Sequence, residues 1–336
     1  MRKSVAYALL VLLLWAALAL PYARRGTPRA AAESLPAAAA PPAEGSAAPA
    51  TAESGADSAA GTGFDAACRI CVLVEGQRRS MDLRRYLTGV LLAELPERFS
   101  DACFQAQAVA SRTYALRSDA HRRHDPAALC DSASCCQGWL DPDSVSPQRR
   151  ARAEAAVDAT DGLVIRCGGK LIEATFFSCS GGRTEDAAAV WGNDLPYLRS
   201  VESLGEEGAA HYRDETRIPL SEFRAALTEL DPAVELEGDP ALWIGAVVST
   251  AGGGVEEIRL GGRPFRGTDL RKRFALRSTA FELRLEGEEA VFTTRGFGHR
   301  VGMSQYGAEA MARAGNDFET ILKWYYTGVE IGPAER

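Results

Sequence analysis

Residues 5–20, VAYALLVLLLWAALAL, form an apolar block of sixteen residues without a charge. Arg2 and Lys3 precede it, and Arg24 and Arg25 follow. At 1.5 Å per residue the block spans roughly 24 Å as a helix, and adding Pro21, Tyr22 and Ala23 brings it close to a bilayer core. The pattern predicts a signal-anchor over residues 1–25, membrane-spanning at about 5–23. The rest of the chain would then lie outside the cytoplasm, with a cleaved signal peptide as the alternative. Residues 26–63 are rich in Ala, Pro, Ser and Gly, with Leu35 as the single large hydrophobe. Such a stretch buries too little surface to offset its ordering entropy, which predicts a disordered linker.

From residue 64 onward the pattern becomes that of a folded body. RICVLV at 69–74 predicts a strand, with Gly76 in the turn after it. Residues 81–95 predict a helix stopped by Pro96, and the Ala-rich 102–117 predict a second. Residues 121–139 read as a polar loop. Residues 162–177 carry two strands around a Gly168-Gly169 hairpin turn. A short helix at 221–230 precedes strand–turn–strand patterning over 243–294. The C-terminus predicts a strand, a Gly-rich turn, a helix at 304–314 and a last helix at 318–326. Helices and strands mix without a βαβ rhythm, so the expected fold class is α+β with a largely antiparallel sheet. No internal repeat is visible. The expected organisation is an anchor at 1–25, a linker at 26–63 and one folded domain at 64–336.

Composition narrows the function classes. Hydrophobic residues make up 46% and charged residues 25%, a globular balance. A net charge of −7 argues against a nucleic-acid partner, which would ask for a basic face.

Two groups of residues carry candidate chemistry. In the 81–95 helix, Leu83, Leu87, Val90 and Glu94 fall on one face. Glu94 is the only charge on that stripe. A carboxyl against aliphatic neighbours prefers its neutral form, which a glycosidic oxygen needs for protonation. The bland alternative is a helix-end Glu reaching water. On the next helix, Gln105 and Arg112 share a face, while Ala102, Ala106, Val109, Ala110 and Thr113 form a small-residue stripe. Arg112 is then either a surface charge or a fixed cation near Glu94.

The second group is His124, Cys130, Cys135 and Cys136, spaced H-x5-C-x4-C-C. Four N/S donors in one short loop suit tetrahedral zinc with no open position, hence a structural ion. His121 lies close enough to compete with His124. A disulfide from Cys130 to Cys135 or Cys136 is the alternative, favoured by export. Cys68-x-x-Cys71 is a weak redox or disulfide pair, and Cys103, Cys167 and Cys179 are expected as small buried hydrophobes. A Ser304–His299 or Cys179–His299 hydrolase lacks an orienting acid and an oxyanion hole in the sequence.

Four ordered strings resemble the stage II sporulation protein D family (SpoIID/LytB). They are YLTGVLLAELPERF with AQAVASRTYAL, then ATFFSCSGGRTEDAAAVWGNDLPYLRSVES at 174–203, GTDLRKRFALRSTAFEL at 267–283, and GFGHRVGMSQYGAEAMARAGNDFETILKWYYTGVEI at 296–331. In the last string Arg300 stands where that family usually has glycine, which bears on the turn's backbone or on a substrate contact. The resemblance implies a membrane-anchored peptidoglycan lytic transglycosylase acting in spore engulfment. Its substrate would be glycan strands stripped of their peptides, cut at the MurNAc–GlcNAc bond to leave 1,6-anhydro-muramic ends. By position it makes Glu94 the catalytic acid. Arg112, Tyr197 and Arg199 match family positions important for activity, although Lys is common where Arg199 stands. Gln107, His299, Ser304 and Gln305 join these as candidate sugar contacts. Some family members carry zinc in the same loop, with His where this chain has Cys135. Implied partners are a SpoIIP-like amidase and a membrane scaffold of the engulfment machinery, with the chain in the mother-cell membrane facing the septal wall. A non-catalytic amidase enhancer is the second function class.

Overall fold

The computed structural model of this chain describes residues 63–117, 124 and 129–335. The expected membrane segment at 5–23, the expected linker up to residue 62, and His121 lie outside the described residues. Among the described residues no helix is long and apolar enough to cross a membrane.

The architecture is α+β with mainly antiparallel sheets, as the pattern predicts. The strands Arg69–Val74 and Gln77–Asp82 pair as an antiparallel hairpin. Asp82 then caps the helix Leu83–Glu94, its side chain accepting from the Arg85 N–H. On that helix Leu83, Leu87 and Val90 are buried, confirming the predicted stripe. The helix Asp101–Leu116 lies at the centre of the first core. Leu83–Glu94, Pro147–Ala159, Gln305–Arg313, Phe318–Tyr325 and the strand Leu163–Cys167 pack around it. Burial on all sides explains its small residues, Ala106, Ala108 and Ala110 among them. Phe223, Trp243, Ile258, Phe265 and Phe292 belong to a second core. Around it sit the helix Leu220–Leu230 and two three-stranded antiparallel sheets.

Three elements depart from the sequence pattern. The second strand of the 162–177 hairpin is only Lys170–Leu171, and Phe176–Phe177 instead pairs in parallel with Met303–Ser304. A helix, Gly267–Arg273, interrupts the strands expected over 243–294. The helix Pro147–Ala159 had no apolar stripe to announce it. Its buried residues are Ala153, Ala156 and Val157, and Ser146 caps it ahead of Pro147.

Arg112 is neither a surface charge nor a neighbour of Glu94. It has 0% exposure. Its Nε donates to Asp65 Oδ1 at 2.8 Å, and its Nη2 donates to Asp65 Oδ2 at 2.5 Å. Remaining donors reach the Leu163 and Val157 carbonyls. The guanidinium is saturated inside the core and ties the helix Asp101–Leu116 to Asp65.

Arg300 makes a second buried tie. It takes a left-handed backbone, φ 65°, which explains why glycine suits that position. Its guanidinium donates to the Ser180, Arg183 and Gly252 carbonyls and pairs with Glu185 at 3.1 Å. Glu185 also accepts from Thr250 Oγ1 and the Gly254 N–H. The turn that joins the strands Ile244–Ser249 and Val255–Leu260 is thereby fastened to the 180–185 loop. A side chain engaged this way is unavailable as a substrate contact.

Removing one member of a buried ion pair strands the other charge. Asp65→Asn is expected to destabilise the fold by about 3–5 kcal/mol in chemical denaturation. Asp65→Leu combined with Arg112→Met should recover much of that loss. A double variant no more stable than Asp65→Asn would contradict this account.

Candidate active site

Glu94 is the last residue of its helix. Pro96 disfavours helical backbone at Leu95, which is extended at φ −110° and ψ 136°. The chain turns away there and leaves the Glu94 carboxyl facing the 130–139 loop and the Gln305 helix. Its Oε1 accepts from the Gly138 N–H at 2.6 Å. Its Oε2 lies 3.5 Å from Gln305 Nε2. Burial pushes the carboxyl above its ordinary pKa, while the Gly138 and Gln305 donors pull the other way. The predicted raised pKa therefore holds in direction. Residue 138 has no side chain for a reason: a Cβ there would stand 3.0 Å from Glu94 Oε1.

The cysteine loop leads directly into that contact. The ligand atoms of His124, Cys130, Cys135 and Cys136 all lie within 4.8 Å of one another. His124 Nε2 is 3.3 Å from Cys135 Sγ and 3.5 Å from Cys136 Sγ. All eight cysteines are free thiols, so none of the weighed disulfides forms in this structure. One imidazole and three thiols converging on a point suit a structural metal ion. The next residue, Gln137, is buried and donates from Nε2 to Tyr86 Oη at 3.2 Å. Clamped on both sides, Gly138 presents its N–H to Glu94. Nothing in the sequence marked Gly138 as a site residue, because its contribution is a main-chain donor.

The other expected contacts divide. Gln305 reaches Glu94. Ser304, next to it, is fully buried and caps the Gln305–Arg313 helix by accepting from the Gly307 N–H. It also donates to Glu206 Oε1 at 2.5 Å. Gln107 is likewise fully buried and donates to Ser111 Oγ. The structure thus places Ser304 and Gln107 in internal hydrogen bonds. Tyr197 is half-buried, and its hydroxyl accepts from the Glu173 N–H at 3.1 Å. Arg199 sits at the surface, 2.8 Å from Asp194. His299 lies between Phe177 and Trp191, with ring centroids at 5.6 and 5.2 Å. Burial, aided by the nearby Arg271 charge, lowers its pKa to about 4, so the ring is neutral at pH 7. Its Nδ1 accepts from the Val301 N–H, and Ser304 Oγ is committed elsewhere, so no Ser–His dyad exists.

Glu206 escaped the sequence reading altogether. It accepts from the Ser180 N–H, Ser180 Oγ and the Gly181 N–H on one oxygen, and from Ser203 and Ser304 hydroxyls on the other. This buried carboxylate pins the SGG turn, and Ser304 with it, beside Gln305.

Residues 75–166 match the family SpoIID, described as Stage II sporulation protein. The chain is 33% identical over 267 residues to Stage II sporulation protein D of Bacillus subtilis, covering 76% of each chain. It shows the same identity and coverage to the protein of that name from Bacillus amyloliquefaciens. It is 25% identical over 295 residues to a Bacillus subtilis protein named amidase enhancer, covering 73% of this chain and 40% of that one.

A raised pKa at Glu94 fixes the sign of a stability effect. The folded chain holds this proton more tightly than the unfolded chain. That stabilisation is complete below the ordinary carboxyl range and is lost as pH rises through the folded-state value. The Tm of Glu94→Gln should therefore gain on wild type as pH rises from about 4 to about 8. A Tm difference that does not change with pH would show an unperturbed carboxyl.

Proposed function

We propose that this chain, which belongs to the stage II sporulation protein D family, is a lytic transglycosylase of peptide-stripped peptidoglycan. The observation that carries the proposal is the state of Glu94: one carboxyl, largely withdrawn from water, with its pKa raised and two donors aimed at it. Protonated, Glu94 gives its proton to the oxygen of the MurNAc–GlcNAc linkage as the C1–O bond breaks. The muramic C6 hydroxyl then closes onto C1, and its proton passes to the Glu94 carboxylate. The acid is restored, the 1,6-anhydro end forms, and no water is consumed. A single carboxyl suffices because the nucleophile belongs to the sugar, unlike the paired carboxylates of hydrolytic glycosidases. Between the two transfers Glu94 is an anion, and the Gly138 N–H and Gln305 amide are the groups placed to stabilise it.

His124, Cys130, Cys135 and Cys136 would hold zinc. A filled four-ligand site supplies cross-linking of the loop and no open position for substrate. Its effect on the reaction is then indirect, through the placement of Gly138. The apolar block at 5–20 would anchor the chain in the mother-cell membrane, and the Ala/Pro segment would let the catalytic body reach the septal wall. A SpoIIP-like amidase would supply stripped strands, and a membrane scaffold would hold the two enzymes together. The relative named amidase enhancer favours a second reading, in which the chain stimulates such an amidase without cutting glycan itself.

Stripped glycan incubated with wild-type protein should release anhydro-muramic products by mass spectrometry. Glu94→Ala should lower that release by about 100-fold or more while the protein stays folded. Undiminished release would remove Glu94 as the acid. No release by wild type, with faster amidase turnover on its addition, would select the enhancer.

Elemental analysis should find about one zinc per chain. Cys136→Ser should lose it and lower Tm. A zinc-free wild type with these thiols oxidised would overturn the metal assignment.

A further inference from the structure

The segment LRKRFALRS, residues 270–278, carries four cations with different fates. Arg273 pairs with Glu229 at 2.9 Å, and Arg277 pairs with Asp214 at 3.1 Å. Lys272 is exposed. Arg271 is half-buried, and its one side-chain hydrogen bond among the described residues runs from Nε to the Leu276 carbonyl at 3.4 Å. No carboxylate of the described residues faces it, and burial alone lowers its pKa. A desolvated guanidinium without a counter-charge is costly in a fold that has paired two other arginines of the same segment. Its outer nitrogens suit a planar anion taken bidentately.

The surroundings narrow the class of anion. The Gly298 N–H donates to the Arg277 carbonyl at 3.0 Å, which seats this segment against the turn carrying His299. The charge of Arg271 is felt at His299, a neutral ring and so no competitor for an anion. His299 packs on Trp191, which is 38% exposed and offers part of an aromatic face. A cation whose charge reaches His299, and an aromatic ring packed on that same His299, together suit a sugar that bears a carboxylate. Phe177, also against His299, pairs along the backbone with Ser304, and Gln305 follows and reaches Glu94. The Arg271 cluster and Glu94 are thus joined through one short run of chain.

We infer that Arg271, on the segment that the Gly298 N–H fastens to the His299 turn, binds the lactyl carboxylate of peptide-stripped muramic acid and so sets the preference for stripped strands. The choice of sugar rests on the transglycosylase proposal; the cation and the N–H donors it leaves unengaged among the described residues do not. Removing a stem peptide at its amide bond to the lactyl group exposes one carboxylate per muramic residue. Intact strands present a neutral amide there, which offers a guanidinium no charge.

The test uses the full chain carrying Glu94→Gln, so that binding is read without turnover. Two ligands are compared: stripped glycan strands with free carboxylates, and the same strands converted to methylamides by carbodiimide coupling. The free-acid strands should bind about tenfold more tightly, the size expected for one charge-assisted contact. Adding Arg271→Gln should erase that preference, and Arg271→Lys should retain part of it, with melting temperatures confirming folded protein in each case. A preference that survives Arg271→Gln, or none in the parent, overturns the inference. Wild-type cleavage of both strand types is measured in parallel. Cleavage without preference removes the Arg271 site alone. Preference in binding with no cleavage removes the enzymatic proposal and leaves the carboxylate site standing.

Discussion

The hydrogen bond from the Gly138 N–H to Glu94 joins the two parts of the site that lie far apart in sequence. On one side is a helix whose last residue is a carboxyl, stopped by Pro96. On the other is a loop drawn together by one imidazole and three thiols. Neither part alone constrains where the carboxyl points. A helix-terminal glutamate is free to swing into water, where it would be an ordinary anion. A glycine N–H next to a cysteine cluster is merely one more unsatisfied donor. Brought to 2.6 Å, they hold the carboxyl against a wall of the protein, and burial there raises its pKa. The same donor lowers the cost of the anion when the proton leaves. In the proposed reaction the acid and base roles would draw on one environment, with burial favouring one state and the amide favouring the other.

Buried charge serves a different purpose elsewhere. Arg112–Asp65 and Arg300–Glu185 are both removed from solvent, and both guanidinium groups also donate to backbone carbonyls. Each joins segments distant in sequence: the helix Asp101–Leu116 to the start of the folded body, and the 300 turn to the hairpin of the second core. Glu206 does similar work with hydroxyls and amides as partners. The Glu206 and Arg300 ties hold the 180–185 loop against the 300–304 segment next to Gln305. Arg271 differs from them in having no internal carboxylate, and that contrast singles it out as a cation held ready for something from outside.

Much of this molecule was legible in its residues. The strand Arg69–Val74, the helices Leu83–Glu94 and Leu220–Leu230 and the two C-terminal helices follow from apolar patterning and from stop signals such as Pro96, and Asp101–Leu116 follows from its Ala-rich run without Pro or Gly. The Cys/His spacing foresaw a convergence that the fold delivers. The stripe on which Glu94 is the sole charge foresaw its raised pKa. The helix Pro147–Ala159 stayed hidden because it buries alanines, which carry no periodic signal. Gly267–Arg273 stayed hidden because a short helix among strands is decided by its neighbours.

What the sequence determined by itself is local: which stretches wind or extend, which carboxyl sits among aliphatic residues, and which donors share a loop. These depend on spacing along the chain, and spacing is written in residue order. Only the tertiary structure decided that Arg112 and Arg300 are internal ties, that Ser304 and Gln107 face inward, and that Gly138 supplies a donor to Glu94. A polar side chain can be satisfied equally well by a sugar, by water or by a distant backbone group, and residue type does not distinguish them. The partner is chosen by long-range packing, which places Asp65 beside Arg112 and leaves Arg271 without such a neighbour.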